Sequence, residues 1–261
     1  MKARLIAAAR DALRARGVEV RRTGGGGPRR TLPEVLEHLK RRGVAPQTIV
    51  DVGVARGTPE LYAAFPGVPL LLVEPLAEHE GDLQRIVAGR PGSRYALAAG
   101  GAEPGELEIS VHRVTACSSV LGDRDPDGEP GQRRTVPVVR VDDLVAEHAL
   151  AAPFVVKVDV EGAELHVLDG ARGTLARADV VLLEVSFFAL VPGGAQFADV
   201  IAWMAEAGFS AYDIYAGHTR PLDGALAQVD IAFVRTDGPL RADHRYATAQ
   251  QADALYRSWG L

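Results

Sequence analysis

Cysteine is almost absent from this sequence, whose 261 residues include a single one, Cys117. A lone cysteine excludes an internal disulfide, a zinc site built from several cysteines and an iron–sulfur cluster, so the reducing cytoplasm is the simplest expected compartment. Aromatic residues are also few, at 6%. The longest apolar candidate, residues 180–191, is shorter than the roughly 18 residues that span a bilayer and contains Glu184. We therefore expect no association with a membrane.

Positive charge is concentrated at the amino end, although the net charge of the chain is −5. Residues 1–42 hold twelve Lys or Arg against four Asp or Glu. Such a segment can dock on nucleic acid, on an acidic partner or on the acidic remainder of the chain. No aromatic residue interleaves these charges as a stacking platform requires. A solvated helix is therefore the preferred interpretation, and no nucleic-acid partner is expected.

From residue 47 onward, short apolar runs alternate with helical stretches. Near-continuous apolar runs indicate strands buried on both faces, and their alternation with helices indicates a mostly parallel sheet. The last two runs have no helix between them, so one of them is expected to run antiparallel, in a hairpin at one edge. The sequence predicts an α/β fold with seven main strands, at residues 48–52, 69–74, 93–99, 154–159, 179–184, 211–215 and 229–234.

Weaker patterns complete the predicted organisation. Residues 107–111 and 135–139 suggest an edge hairpin, and residues 162–176 a single helix. A helix over residues 2–16 is followed by a glycine-rich linker and a second helix, which begins near Thr31 with a capping box. We predict an amino-terminal helical extension over 1–46 and a main domain over 47–261. Because the extension can pack on its own domain or on a second subunit, a homodimer is one expected arrangement.

Ligands of an open parallel sheet bind outside the carboxyl ends of the strands. The first strand ends in Asp51, Val52 and Gly53, with Gly57 four residues later. This spacing lacks the G-x-G-x-x-G dinucleotide fingerprint, and a purely structural turn is the alternative interpretation. The second strand ends in Glu74, whose two carboxylate oxygens can accept both ribose hydroxyls of a nucleoside. Together, the glycine turn and this carboxylate favour nucleoside binding.

The fourth strong strand ends in the densest charge cluster of the chain. Lys157, Asp159, Glu161 and Glu164 lie within eight residues, and such groups are costly unless they are exposed, paired or functional. Asp159 is expected to face the same crevice as Gly53 and Glu74. Glu161 and Glu164 lie near a helix amino terminus, so stabilisation of that helix is the alternative for them. The fifth strand also ends in a carboxylate, Glu184.

The stretch from Lys157 to Glu164, continuing to Val167-Leu168-Asp169-Gly170-Ala171, resembles the signature of FkbM-type S-adenosylmethionine-dependent methyltransferases. Further stretches fit the same family: Val50-Asp51-Val52-Gly53 with Gly57, Val73-Glu74-Pro75, and Val141-Asp142-Asp143-Leu144. The resemblance implies a Rossmann-like class I methyltransferase fold with an antiparallel edge strand. It also implies methyl transfer, most often to an oxygen, in secondary-metabolite, polyketide or sugar pathways, with a small-molecule acceptor as partner.

Carried over residue by residue, the resemblance implies contacts with S-adenosylmethionine. The expected cofactor-binding residues are Asp51, Gly53, Val54, Gly57, Glu74, Pro75 and Ala98. Two positions depart from the family pattern. Val54-Ala55 stand where many members have Ala-Asn, which loses a side-chain hydrogen bond but keeps the turn. After the third strand, Ala98-Ala99-Gly100 offer no acidic contact to adenine.

Asp159 is the expected catalytic residue, as the base that takes the proton of an acceptor hydroxyl. Alternatively, Asp159 and Glu184 hold Mg²⁺, which lowers the pKa of that hydroxyl, or Asp159 orients backbone and cofactor amine. Ser118, Ser119, Glu161 and His218 are the expected acceptor-binding residues, with a surface or structural role as the alternative for His218. Two other functions stay open from the residues: an NAD-linked oxidoreductase, and a non-catalytic binding protein that keeps the fold.

Overall fold

A seven-stranded sheet forms the centre of the computed structural model, which describes residues 13, 15–16, 27–111 and 132–259. Its strands are β1 (Thr48–Val52), β2 (Leu70–Glu74), β3 (Arg94–Leu97), β7 (Phe154–Val158), β8 (Ala178–Ser186), β9 (Phe209–Thr219) and β10 (Leu226–Arg235). The strand order is β3-β2-β1-β7-β8-β10-β9. Strand β10 runs antiparallel to its neighbours β8 and β9 and forms with β9 the hairpin that closes one edge. The predicted fold class is confirmed.

Both faces of this sheet are buried, as its apolar strands predict. Every residue of β1 and β2 is buried. Alternate side chains enter different cores: Val50 and Val52 pack on one face, whereas Ile49 packs on the other. Helices cover the two faces: α1 (Leu32–Arg41), α2 (Pro59–Ala64), α3 (Glu80–Ala88), α4 (Val141–Glu147), α5 (Glu164–Asp169), α6 (Arg172–Leu175) and α7 (Phe197–Glu206). A further helix, α8 (Ala249–Trp259), lies near the carboxyl end. Short 3₁₀ turns lie at Ala77–His79 and Pro239–Arg241.

The predicted hairpin of residues 107–111 and 135–139 is an antiparallel pair in the structure, but it belongs to a second sheet. Strands β5 (Gly105–Val111) and β6 (Gln132–Val139) join the short strand β4 (Ala99–Gly100) in the order β4-β6-β5. Their apolar side chains surround a separate small core with Leu76. The pair therefore builds a layer beside the loop that follows β2, rather than an edge of the main sheet.

The predicted single helix over 162–176 is divided into α5 and α6, with Gly170 and Ala171 between them. A Cβ at Gly170 would lie 1.9 Å from the carbonyl oxygen of Gly101, so the chain approaches a neighbouring loop closely at this point. The carboxylate of Asp142 then accepts the backbone N–H groups of Gly173 and Thr174, at 2.8 and 2.7 Å. These contacts begin α6 anew instead of continuing α5.

The capping box predicted at Thr31 is confirmed, since the side chains of Thr31 and Glu34 each accept a backbone N–H from the other residue. Helix α1 buries Val35, Leu36 and Leu39 in the same core as Ile49 of β1. The boundary between 46 and 47 stays a prediction. The predicted helix over 2–16 lies almost wholly outside the described residues, as does most of the glycine-rich linker.

Candidate active site

A cleft that is open to solvent lies at the carboxyl ends of β1, β2 and β7. The strand order reverses between β1 and β7, which is where open α/β sheets bind their ligands. The lining residues are Val52, Gly53, Ala55, Val73, Glu74, Pro75, Leu76, Ala99, Gly100, Asp159, Val160, Glu161 and Ala163.

Gly53 forms the floor of this cleft, where β1 and β7 end side by side. Its φ of +80° lies in the left-handed region, and a Cβ would stand 1.7 Å from the carbonyl oxygen of Asp159. The backbone N–H of Asp159 in turn donates to the carbonyl of Val52 at 3.0 Å. Only glycine allows the two turns to meet this closely, so the predicted role of Gly53 in the turn agrees with the structure.

Glu74 is buried at the end of β2, and its carboxylate is fixed by two backbone donors. Oε2 accepts the N–H of Ala55 at 2.8 Å, and Oε1 accepts the N–H of Leu76 at 2.9 Å. Burial raises the pKa of Glu74 above its ordinary value, and these two hydrogen bonds oppose that effect. A carboxylate has about four acceptor positions, so positions for ligand hydroxyls remain on both oxygens.

Three other predicted cofactor residues lie behind the cleft wall. Asp51 is fully buried and accepts a hydrogen bond from the hydroxyl of Tyr62 at 2.5 Å. Burial raises the pKa of Asp51, while Lys157 and the Tyr62 hydrogen bond oppose the increase. Val54 is buried in the core below α2. Gly57 has a φ of +101° and packs against Tyr62, so it shapes the turn from behind.

The last two predicted cofactor positions follow β2 and β3. Pro75 lines the cleft. Ala98 is buried, and its N–H donates to the carbonyl oxygen of Glu74 at 3.1 Å. The next two residues, Ala99 and Gly100, form the cleft wall instead. Small residues therefore line the cleft after β3.

Asp159 lies where the sequence predicts, on the cleft wall beside Gly53. Its Oδ2 accepts a hydrogen bond from Lys157 Nζ at 3.0 Å. Oxygen atoms of Asp159, Glu161 and Glu184 lie within 4.8 Å of one another. The sequence thus predicts the proximity of Asp159 and Glu184 correctly, and the structure adds Glu161, whose φ of +53° turns it back toward them.

Crowding gives this acidic cluster unusual proton affinities. Burial and the neighbouring carboxylates raise the pKa of Glu161 to about 7 and that of Glu184 to about 9. Burial and Asp159 also raise the pKa of Asp230 to about 6. Asp230 stands opposite Glu184 on the antiparallel strand β10 and was not among the predicted site residues. Of these three groups, Glu161 lines the cleft, and its pKa lies near neutral pH.

The predicted acceptor-binding residues that the structure describes lie in different places relative to the cleft. Glu161 lines the cleft. His218 is exposed on β9 and pairs in register with Gln228, whose side chain donates to Glu184 Oε2 at 2.7 Å. His218 is therefore one strand away from the acidic cluster. Ser118 and Ser119, together with Cys117, lie outside the described residues.

The family model for the methyltransferase FkbM domain matches residues 32–211. A search of curated proteins gives no match. Among solved structures, magnesium protoporphyrin IX methyltransferase from Synechocystis is 12% identical, with a TM-score of 0.41. The match covers 78% of this chain and 76% of that methyltransferase. Precorrin-6y C5,15-methyltransferase from Geobacter metallireducens is 14% identical, with a TM-score of 0.40. The match covers 78% of this chain and 87% of that methyltransferase.

The strand order and the cleft define a doubly wound α/β domain with a ligand site at the switch point of its sheet. The family match covers more than half of the chain, and the chain belongs to the FkbM methyltransferase family. The predicted class, an S-adenosylmethionine-dependent methyltransferase, is thereby confirmed, and the oxidoreductase alternative loses support. Among the described residues, no helix is long and apolar enough to cross a membrane.

Proposed function

We propose that this protein transfers a methyl group from S-adenosylmethionine to a hydroxyl group of a small molecule. One observation carries the proposal: the carboxylate of Asp159 lies on the wall of the same cleft as the Gly53 turn and Glu74. A potential base and a nucleoside-binding surface therefore border one space. Methyl transfer requires mainly that donor and acceptor are held in line, which a rigid pair of strand ends can provide.

The residues of the cleft fit this cofactor. Gly53 lines the cleft, and the fixed carboxylate of Glu74 keeps acceptor positions for ribose hydroxyls. When bound, S-adenosylmethionine supplies a methyl group that is already activated on a sulfonium. The chain therefore has to bind the acceptor, orient its oxygen and remove the proton of that oxygen. Ala99 and Gly100 also line the cleft.

Asp159 is the proposed base. Lys157 engages one oxygen of its carboxylate, and the other can take the proton of an acceptor hydroxyl that lies in the cleft. Glu161 and Glu184 lie next to Asp159, and protonation of either one limits the repulsion within the cluster. A proton accepted by Asp159 can therefore pass to a neighbouring carboxylate and from there to solvent.

A second version of the same function uses a divalent cation. Asp159, Glu161 and Glu184 bring carboxylate oxygens within 4.8 Å of one another, and hard oxygen ligands suit Mg²⁺. A cation at this point would lower the pKa of an acceptor hydroxyl. We further propose that the acceptor site includes Ser118, Ser119 and His218. We also propose a cytoplasmic location, a homodimer, and no nucleic-acid or membrane partner.

Calorimetry and turnover test the proposal. We expect the protein to bind S-adenosylmethionine and S-adenosylhomocysteine but not NAD, and to incorporate labelled methyl groups into a small-molecule extract. Asp159→Asn should lower turnover by about 10²–10⁴-fold, which is the usual contribution of a general base, with little change in cofactor affinity. The exposed Asp143→Asn serves as control. Unchanged turnover in Asp159→Asn would refute the assignment, and restoration by Mg²⁺ after EDTA treatment would select the metal version.

A further inference from the structure

Lys157 joins the two carboxylates that bracket the turn below the cleft. It stands opposite Asp51 in the parallel register of β1 and β7, and its Nζ lies 3.9 Å from Asp51 Oδ1. Two residues later, on the same face of the chain, Asp159 accepts the hydrogen bond from Lys157 Nζ at 3.0 Å. Asp51 is itself held from the other side by the hydroxyl of Tyr62. A continuous chain of polar contacts thus runs from α2 to the cleft wall.

The charge of Lys157 is balanced by these two carboxylates. The Lys157 side chain is 17% exposed, and carboxylate oxygens of Asp51 and Asp159 lie 3.9 and 3.0 Å from its Nζ. Within residues 27–111 and 132–259, no second lysine or arginine forms an ion pair with either carboxylate. A buried cation is costly unless it is paired, and Asp51 and Asp159 supply this pairing.

We propose that Lys157 is a positioning residue for methyl transfer, which holds the carboxylate of Asp159 in place at the cleft. Asp51 anchors the ammonium group from the first strand, and the ammonium group fixes Oδ2 of Asp159. Lys157 does not contact the other oxygen, Oδ1. With Oδ2 fixed, Oδ1 is held in one orientation relative to Gly53. This inference rests on the proposed function, because it assigns a partner to the proposed base.

The test compares Lys157→Met with Lys157→Arg, using the exposed Lys40→Met on α1 as matched control. Misplacing a reacting group by about 1 Å can cost about a hundredfold in rate, so Lys157→Met should lower kcat by about ten- to a hundredfold. The KM for the acceptor and the calorimetric Kd for S-adenosylhomocysteine should change little. Arginine keeps the charge and should restore part of kcat. A kcat of Lys157→Met within about twofold of wild type would overturn the inference.

Loss of Lys157 leaves Asp51 buried without its cation, so the single variant can fail to fold. The double variant Asp51→Asn/Lys157→Met removes both charges and should fold while keeping the low kcat. A crystal structure of whichever variant folds, with S-adenosylhomocysteine, should show the Asp159 carboxylate displaced by about 1 Å or more. An unmoved carboxylate would overturn the inference even without an assay. Wild-type protein that binds the cofactor but methylates nothing would instead contradict the proposed function.

Discussion

A position can require glycine because of its backbone conformation or because another part of the chain approaches it closely. Gly53 and Gly67 distinguish these two reasons. Their φ angles are +80° and +79°, so their backbones would be strained equally by any side chain. Their surroundings differ completely, because nothing lies within 4 Å of a Cβ built on Gly67, whereas at Gly53 the carbonyl of Asp159 lies at 1.7 Å. The difference between the two positions therefore isolates the close approach of β1 and β7 at the floor of the cleft.

We predict that Gly53→Ala destabilises the fold more than Gly67→Ala does. Both variants carry the left-handed strain of about 1 kcal/mol, and Gly53→Ala adds an overpacking cost of about 1–3 kcal/mol because the two strand ends must separate. Urea denaturation of both variants measures the difference in the free energy of unfolding. Cofactor affinity should fall in Gly53→Ala alone. Equal stability of the two variants would show that the strand ends separate without cost.

Strand ends explain why part of the site could be predicted at the residue scale. The rule that ligands bind at carboxyl ends leads directly to Gly53, Glu74 and Asp159. Asp51 lies within the strand and shares the face of Ile49, so it points under α2, and its contact with the cofactor stays a prediction. Asp230 was missed because it reaches the cluster through the antiparallel register of β10, which no local pattern specifies.

At the element scale, Asp142 shows a structural use of a family motif. The stretch Val141-Asp142-Asp143-Leu144 fits the family pattern, and both of its carboxylates belong to α4. Asp142 accepts two backbone N–H groups and the hydroxyl of Thr174 at the start of α6. Asp143 is exposed and pairs with Arg140 at 3.4 Å. One carboxylate therefore joins two helices, and its neighbour lies at the surface.

The expected loss in the free energy of unfolding therefore differs between the removal of Asp142 and the removal of Asp143. Asp142→Ala leaves the first N–H groups of α6 without an acceptor, and loss of such a cap destabilises by about 0.5–2 kcal/mol. Asp143→Ala removes an exposed ion pair that contributes only about 0–1 kcal/mol. Thermal unfolding of the two variants checks the order, and hydrogen exchange at Gly173 and Thr174 should rise only in Asp142→Ala. A larger loss in Asp143→Ala would contradict this account of the motif.

Strong periodic patterns made most elements predictable, and close tertiary contacts explain the failures. Apolar residues dominate the central strands β1, β2, β7 and β8, and the seven main strands agree with the prediction to within about four residues at each end. The break between α5 and α6 depends on Gly101, almost seventy residues earlier, so no local signal marks it. Helices α4 and α8 were not predicted as elements. Each is short or flanked by polar residues, so helical periodicity alone does not single it out.

At the scale of the whole molecule, folding gathers carboxylates from three parts of the chain and raises their proton affinity. The pKa rises from 4.5 to about 7 for Glu161, from 4.5 to about 9 for Glu184 and from 3.8 to about 6 for Asp230. An acid whose pKa is raised by folding stabilises the folded state below its unfolded pKa. That stability is lost as the pH rises toward the folded value. Between pH 6 and 9, the protein should therefore lose stability.

Glu184 should contribute most of this loss of stability, because its pKa in the folded state is about 9. Where the folded state holds one extra proton, the free energy of unfolding falls by about 1.4 kcal/mol per pH unit. Glu184→Gln keeps an oxygen for the Gln228 hydrogen bond but cannot ionise, so its stability should change less between pH 6 and 9. Urea denaturation in EDTA measures both slopes without a bound cation, and Glu206→Gln on the exposed face of α7 serves as control. Parallel slopes for wild type and Glu184→Gln would mean that the acidic cluster does not take up a proton at Glu184 when the chain folds.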